Sequence, residues 1–433
     1  MNLKKVLMVM TMSLILPNIA GAQEQGATIN SGDTAWMLIS TALVTLMTPG
    51  LALFYAGMVR KKNVLGTIMH SFIMLFMVSV IWVLWGYTLA FGPDKAGIIG
   101  GPEWFGLNGV GQEPAPLAPT VPHLLFMMFQ GTFAVITPAL ITGAFAERIK
   151  FSALIMFTVL WITFVYSPLC HWVWGGGWMA TQLGTLDFAG GIVVHISSAI
   201  AALAAILMIG KRRGYGVEPM LPHNLPMTVL GLALLWFGWF GFNAGSALTS
   251  GGLASVAFVT TNTAAGAAAM SWMVIEWLQR GKPTALGAVS GAVAGLAGIT
   301  PAAGFVSPLS SILIGMIAGL LCYVGVNLKS RFNYDDSLDV IGIHGVSGTW
   351  GTLAVGLFAS AAINPSGKDG LFSGNPSLLL TQFAAVIISY VFVFVSTFII
   401  LKLVDWIVGL RVKDGEEFIG LDQSLHGESA YTQ

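Results

Sequence analysis

Long apolar stretches alternate with short polar connections along almost the whole chain. Apolar segments run at about 33–58, 66–91, 122–145, 151–170, 189–210, 226–247, 254–278, 284–303, 307–328, 341–361 and 379–408. Each approaches the roughly 20 residues an α-helix needs to cross a hydrocarbon core. The pattern therefore predicts an all-α polytopic membrane protein with eleven membrane-spanning helices. Ahead of them, Lys4 and Lys5 precede a short apolar run, Val6 to Leu16, and Ala20-Gly21-Ala22 forms a small-residue cleavage site. That order predicts a cleaved signal peptide over 1–22, because the run is too short to span. Residues 23–410 then form the transmembrane domain and 411–433 a polar tail.

Basic residues orient these segments. Arg60, Lys61 and Lys62 follow the first segment, Arg148 and Lys150 the third, and Lys211, Arg212 and Arg213 the fifth. Arg280 and Lys282 follow the seventh, Lys329 and Arg331 the ninth, and Arg411 and Lys413 the eleventh. Only Lys95 and Lys368 fall in the opposite loops. Cytoplasmic loops carry the excess of Lys and Arg, so the mature N-terminus is expected outside and the C-terminus inside, with the chain multi-pass in the cytoplasmic (inner) membrane.

Composition sharpens the picture. The chain is 55% hydrophobic and 9% charged, with a mean hydropathy of +0.80. A soluble domain carries about 25% charged residues, so lipid must be the solvent for much of this surface. The charges balance, with 19 basic and 19 acidic residues, leaving no footprint for nucleic acid. Cys170 and Cys322 point to neither a disulfide framework nor a metal site. Glycine is abundant, at 53 residues, as close helix packing in membranes requires. No P-loop, zinc spacing or catalytic triad is visible, so neither an enzyme nor a cofactor is expected.

An internal repeat singles out two histidines. Asp187 precedes His195 by the same interval that separates Asp336 from His344. One copy enters from outside and the other from inside, which predicts two inverted five-helix repeats plus one extra helix. Such repeats place the site near the midplane, at their interface. Eight residues of helix rise roughly 12 Å, enough to carry each histidine toward the bilayer centre. Ionisable groups are costly there and usually functional. If the two rings meet edge to edge, one nitrogen donates and the other accepts, and both rings are then largely neutral. Such a pair offers hydrogen bonds to a small neutral solute or relays a proton. His70, in the second segment, reads instead as a neutral histidine hydrogen-bonded within the bundle.

Asp187 reads first as an N-cap, although a carboxylate near the outer mouth also favours a cation. Asp336 fits a matching cap, and Asp339 has no role legible from sequence. Aromatic clusters lie at Phe129-Gln-Gly-Thr-Phe133, at Trp172-Val-Trp174 and from Trp236 to Ser246. Aromatics near a membrane surface are most often interfacial anchors, but their faces also stabilise a desolvating cation.

Several of these stretches together resemble the ammonium transporter (Amt) family of the Amt/Mep/Rh superfamily, in its bacterial form. They are Pro49 to Tyr55, Phe129 to Phe133, Gly143 to Arg148, Asp187 to His195, Gly238 to Ser246, Gly342 to Gly345 and Leu421 to Tyr431. The resemblance implies a homotrimer with one pore per subunit. It implies ammonium held at an outer site by Ser246, Trp174 and Phe133, and a gate of stacked Phe133 and Phe242. It further implies a pore pair of His195 and His344, an essential Asp187, and Phe129, Tyr55 and Trp239 at vestibule or pore-lining positions. A tail packed on the cytoplasmic face and coupling neighbouring subunits is also implied, as is a PII-type regulatory protein as partner. Two other readings stay open: a neutral-gas channel of the Rhesus type, and an ammonium sensor signalling through its tail.

Overall fold

Several helices begin where a side chain or a proline relieves the unpaired N–H groups of the first turn. Asn30 accepts from the Asp33 amide to open α1 (Ser31–Met58). After it come α2 (Lys61–Phe91), α3 (His123–Ile141), α4 (Phe151–Val173) and α5 (Gly191–Ile209). Asn224 caps α6 (Leu225–Ala244), whose second residue is Pro226. They are followed by α7 (Gly252–Arg280), by α8 (Ala285–Ile299) behind its Thr284 cap, and by α9 (Pro308–Phe332) behind Ser307. In α10, Ile341–Gly345 runs into Val346–Phe358, and Asn375 caps α11 (Pro376–Val408). The computed structural model describes residues 28–431, so the expected signal peptide lies outside the described residues.

A helix therefore occupies each of the predicted apolar segments. Among the described residues, 9 helices are long and apolar enough to cross a membrane. The segment at 284–303 yields a helix of only 15 residues, α8, almost wholly enclosed by its neighbours. Four short strands fall in the connection before α3, as two hairpins: Asp94–Lys95 with Ile99–Gly100, and Pro114–Ala115 with Ala118–Pro122. The all-α expectation overlooked them, because strands this short leave no period-2 pattern.

Small residues set the helix spacing. A Cβ on Gly315 of α9 would lie 2.2 Å from the Ala264 carbonyl of α7, and one on Gly351 of α10 only 2.0 Å from the Gly298 carbonyl of α8. Backbones this close leave no room for a side chain, and close approach is how helices adhere where the solvent is itself apolar.

Five helices are not uniform. Wide π-turns interrupt α2 at Trp82–Gly86 and α4 at Ile162–Tyr166, open α5 at Gly191–Ile196 and α10 at Ile341–Gly345, and close α6 at Phe240–Ala244. Such turns concentrate at functional sites. Three of the five carry His195, Phe242 and His344.

The face that bears the basic loops is more ordered than their sequence implies. Arg148 and Arg212 are buried, not solvated loop charges. Arg212 grips Asp335 in a two-bond fork, Nε to Oδ2 at 2.9 Å and Nη2 to Oδ1 at 2.7 Å. Glu147 bridges Arg60 at 2.7 Å and Arg212 at 3.4 Å. Burial alone would raise the Glu147 carboxyl, but Arg212 and Arg60 outweigh it and hold the group below its usual range. Burial brings the Arg148 guanidinium down to about 10 even with Asp335 beside it. The tail packs on this same face. Lys62 Nζ donates to the Glu417 and Phe418 carbonyls at 3.0 and 2.6 Å, and Asn63 accepts from the Leu421 amide at 2.8 Å. His70 departs from expectation: it is buried, with no hydrogen-bond partner on either ring nitrogen.

Candidate functional site

Three cavities follow one another between the hairpin-bearing face and the basic face. The first, of about 220 Å³, is lined by Phe126, Gln130, Phe133, Trp174, Phe188 and Ser246, with Phe91, Leu117 and Leu248. Trp174 ends α4 and is fixed by its indole N–H, which donates to the Asp187 carbonyl at 2.8 Å. Its ring meets Phe133 edge to face, with centroids 5.6 Å apart. Ser246 Oγ donates to the Phe242 carbonyl at 2.8 Å. That bond commits the hydroxyl proton and leaves the oxygen's lone pairs free to accept. Aromatic faces beside a free acceptor suit a small cation that can donate hydrogen bonds.

The Phe133 ring, in the wall of this cavity, packs on the ring of Phe242. Their centroids lie 4.3 Å apart at an interplanar angle of 38°. Phe133 lines the first cavity and Phe242 the second, so the ring pair is the partition between the two.

The second cavity, of about 20 Å³, is lined by Tyr55, Val194, His195, Trp239, Phe242 and His344 among other apolar residues. The histidine rings lie within 9° of one plane, with centroids 5.2 Å apart and Nδ1 to Nδ1 at 3.2 Å. That separation is one nitrogen contact plus two ring radii, so the rings meet edge to edge. One Nδ1 therefore donates and the other accepts. His195 Nε2 has no protein partner. Gly348 permits this approach, because a Cβ there would lie 2.9 Å from the Cβ of His195. The indole N–H of Trp239, donated to Thr300 Oγ1 at 2.9 Å, fixes that ring beside His195. Tyr55 donates its hydroxyl to the Leu140 carbonyl at 3.0 Å.

His344 and Tyr55 also line the third cavity, of about 50 Å³, which opens toward Ser290, Leu338 and Asp339. Asp339 is held by Lys329 and adopts a positive φ of 61°. Burial and the Asp339 charge raise the adjacent Asp336 carboxyl to about 6.

The aspartates of the repeat are caps. Asp187 accepts four backbone N–H groups, from Gly190 at 2.8 Å, Gly191 at 2.7 Å, Ile192 at 2.7 Å and Val193 at 3.2 Å. Asp336 accepts from the Ile341 amide at 2.7 Å, the position equivalent to Ile192. Both caps are followed by π-turns carrying the histidines, so the repeat extends from sequence into local structure. Asp187 is not among the residues lining the first cavity, and its oxygens are already occupied by amides. The carboxylate holds the first turn of α5, while the main-chain carbonyl of Asp187 holds Trp174. Phe129 likewise stands behind Phe133, with centroids 5.0 Å apart, rather than in the lining. Gln130 is in the lining, although sequence reasoning had not singled it out. A polar residue three positions before Phe133, on the same helix face, was the available signal.

The sequence profile of the Ammonium Transporter Family matches residues 35–431. The chain is 57% identical to the ammonium transporter of Bacillus subtilis (strain 168) over 401 residues, 92% of this chain and 98% of that one. The crystal structure of Candida albicans Mep2 superposes with a TM-score of 0.84 at 35% identity, covering 90% of this chain and 88% of that one. A solved sensor Amt protein gives 0.83 at 28% identity, covering 91% and 98%.

Proposed function

The chain belongs to the ammonium transporter family, and on that premise we propose that it conducts ammonium nitrogen across the cytoplasmic membrane, from the hairpin-bearing face inward. In this reading all eleven helices span, the basic face is cytoplasmic, and the first cavity is the outer site. Ammonium enters against Trp174 and Phe133 and donates to Ser246. It gives up a proton near the Phe133–Phe242 partition; ammonia passes beside His195 and His344, and the proton crosses separately along that histidine pair, so net charge moves inward. The observation that carries the reading is the sequence of three cavities with the ring pair between the first and second. Past that partition only the histidines and indole or phenol groups offer polarity, so a bare cation would lose its hydration without replacement. Ammonium can shed its charge by releasing a proton, whereas potassium cannot, and the arrangement therefore discriminates between ions of similar size.

Reconstitution into liposomes tests this. Ammonium is expected to drive current and potassium to drive none. Exchanging His195 or His344 for alanine is expected to abolish the current or admit potassium; unchanged current and selectivity in both variants would remove the histidines from the route. A pure gas channel would carry ammonia without current. The same family membership supports a homotrimer serving nitrogen uptake, with a PII-type protein docking at the cytoplasmic face. Mass determination in detergent and co-purification with such a protein address those two points.

A further inference from the structure

The outer cavity holds a polar group that the reading above leaves unused. Gln130 lies on α3, one turn before Phe133, and is 9% exposed. Its side chain lines the cavity, yet Oε1 is buried without any hydrogen-bond partner. Gln130 and Ser246 supply the only polar side chains of that lining apart from the Trp174 indole, whose N–H is already committed to Asp187. An amide oxygen removed from water and left unpaired is destabilising, so a glutamine at this point is costly unless something completes it. The terminal torsion of glutamine is broad, and rotation about it turns Oε1 toward the cavity without moving the backbone.

We infer that Gln130 is a second hydrogen-bond acceptor, beside Ser246 Oγ, for the cation at the outer site. The inference rests on the outer-site reading and adds a specific contact to it. Ammonium carries four N–H donors in a tetrahedron; one directed at Ser246 Oγ and one at Gln130 Oε1 leave two for the aromatic faces or for water. Apolar walls offer no competing donor to the amide oxygen, so the completed bond is charge-assisted and water-shielded. Gln130 is thus a binding residue that sets affinity, with no part in proton release.

The test uses the full chain in liposomes and reads the half-saturating ammonium concentration from transport current. Gln130→Leu keeps the volume and removes the acceptor, and is expected to raise that concentration at least about tenfold, the order of a hydrogen bond to a charged group. Gln130→Glu keeps an acceptor and adds negative charge, so half-saturation is expected to hold or fall. A Gln130→Leu value within twofold of the parent overturns the inference, and so does an equal rise in both variants, which would mean that Gln130 only packs. Ser246→Ala and Trp174→Ala run alongside. If those two leave half-saturation unmoved, the outer-site reading itself falls; if they shift it and Gln130→Leu does not, only the Gln130 contact falls.

Discussion

Replacing Asp187 separates capping from cation binding. Its carboxylate accepts amides of Gly190, Gly191, Ile192 and Val193 at 2.7 to 3.2 Å, all buried. Each amide orphaned in a site closed to water costs about 1–3 kcal/mol, so Asp187→Ala is expected to cost about 4–12 kcal/mol. That is comparable to the roughly 5–15 kcal/mol by which whole domains are stable, and the alanine variant should not yield folded protein. Asp187→Asn keeps one carbonyl oxygen and turns an NH₂ group toward the remaining amides. It loses two acceptances, or about 2–6 kcal/mol. Detergent-purified protein should then fold but melt at a clearly lower temperature, with transport impaired because the His195 turn starts from this carboxylate. The reasoning is refuted by an asparagine variant that melts with the parent yet needs far more ammonium for half-maximal current. That result would make Asp187 a direct ligand of the cation.

Other perturbations follow from the same geometry. Arg212→Ala strips Asp335 of its forked partner, leaving only Arg148 at 4.0 Å, and leaves Glu147 to Arg60 alone, so about 3–5 kcal/mol of stability should be lost, measured by thermal unfolding. The depressed carboxyl pKa values of these two groups, whose ordinary values are 3.8 and 4.5, give a defined pH window. Their contribution is present above pH 4.5 and is lost as pH falls through the lower folded values; a melting-temperature profile across that range should steepen there and flatten in the Arg212 variant. Gly348→Ala should push the two histidine turns apart, lowering ammonium current more than melting temperature. Gly315→Ala should destabilise the α7–α9 packing, whereas Gly266→Ala, which meets nothing within 4 Å, should be tolerated or slightly stabilising.

Sequence reasoning reached the parts of this molecule governed by long-range apolarity and exact spacing. The helix positions follow from hydropathy. The pairing of His195 with His344 follows from one repeated interval. The grouping of Ser246, Trp174 and Phe133 came from the family's motifs, because nothing in hydropathy brings α3, α4 and α6 to one cavity. The π-turns stayed hidden, since an extra residue in one turn leaves no periodic trace in a helix that is apolar on all sides. The ion network on the basic face stayed hidden for a different reason. Arg148 and Arg212 carry the topogenic signal of loop charges, and their burial depends on Glu147 and Asp335 arriving from distant loops. Asp187 was legible as a cap, but not that four amides would use up its capacity.

On the proposed route, the size of the central cavity sets the traffic. A space of about 20 Å³ accommodates a single water-sized guest, which needs roughly 10–15 Å³. Beside the histidines the queue has length one: a second guest waits in the outer or inner cavity until the first has left. Throughput is then bounded by the dwell time of one guest beside His195 and His344. A guest arriving from the opposite side blocks the queue rather than passing, so tracer entry should slow when unlabelled ammonia is supplied on the far side.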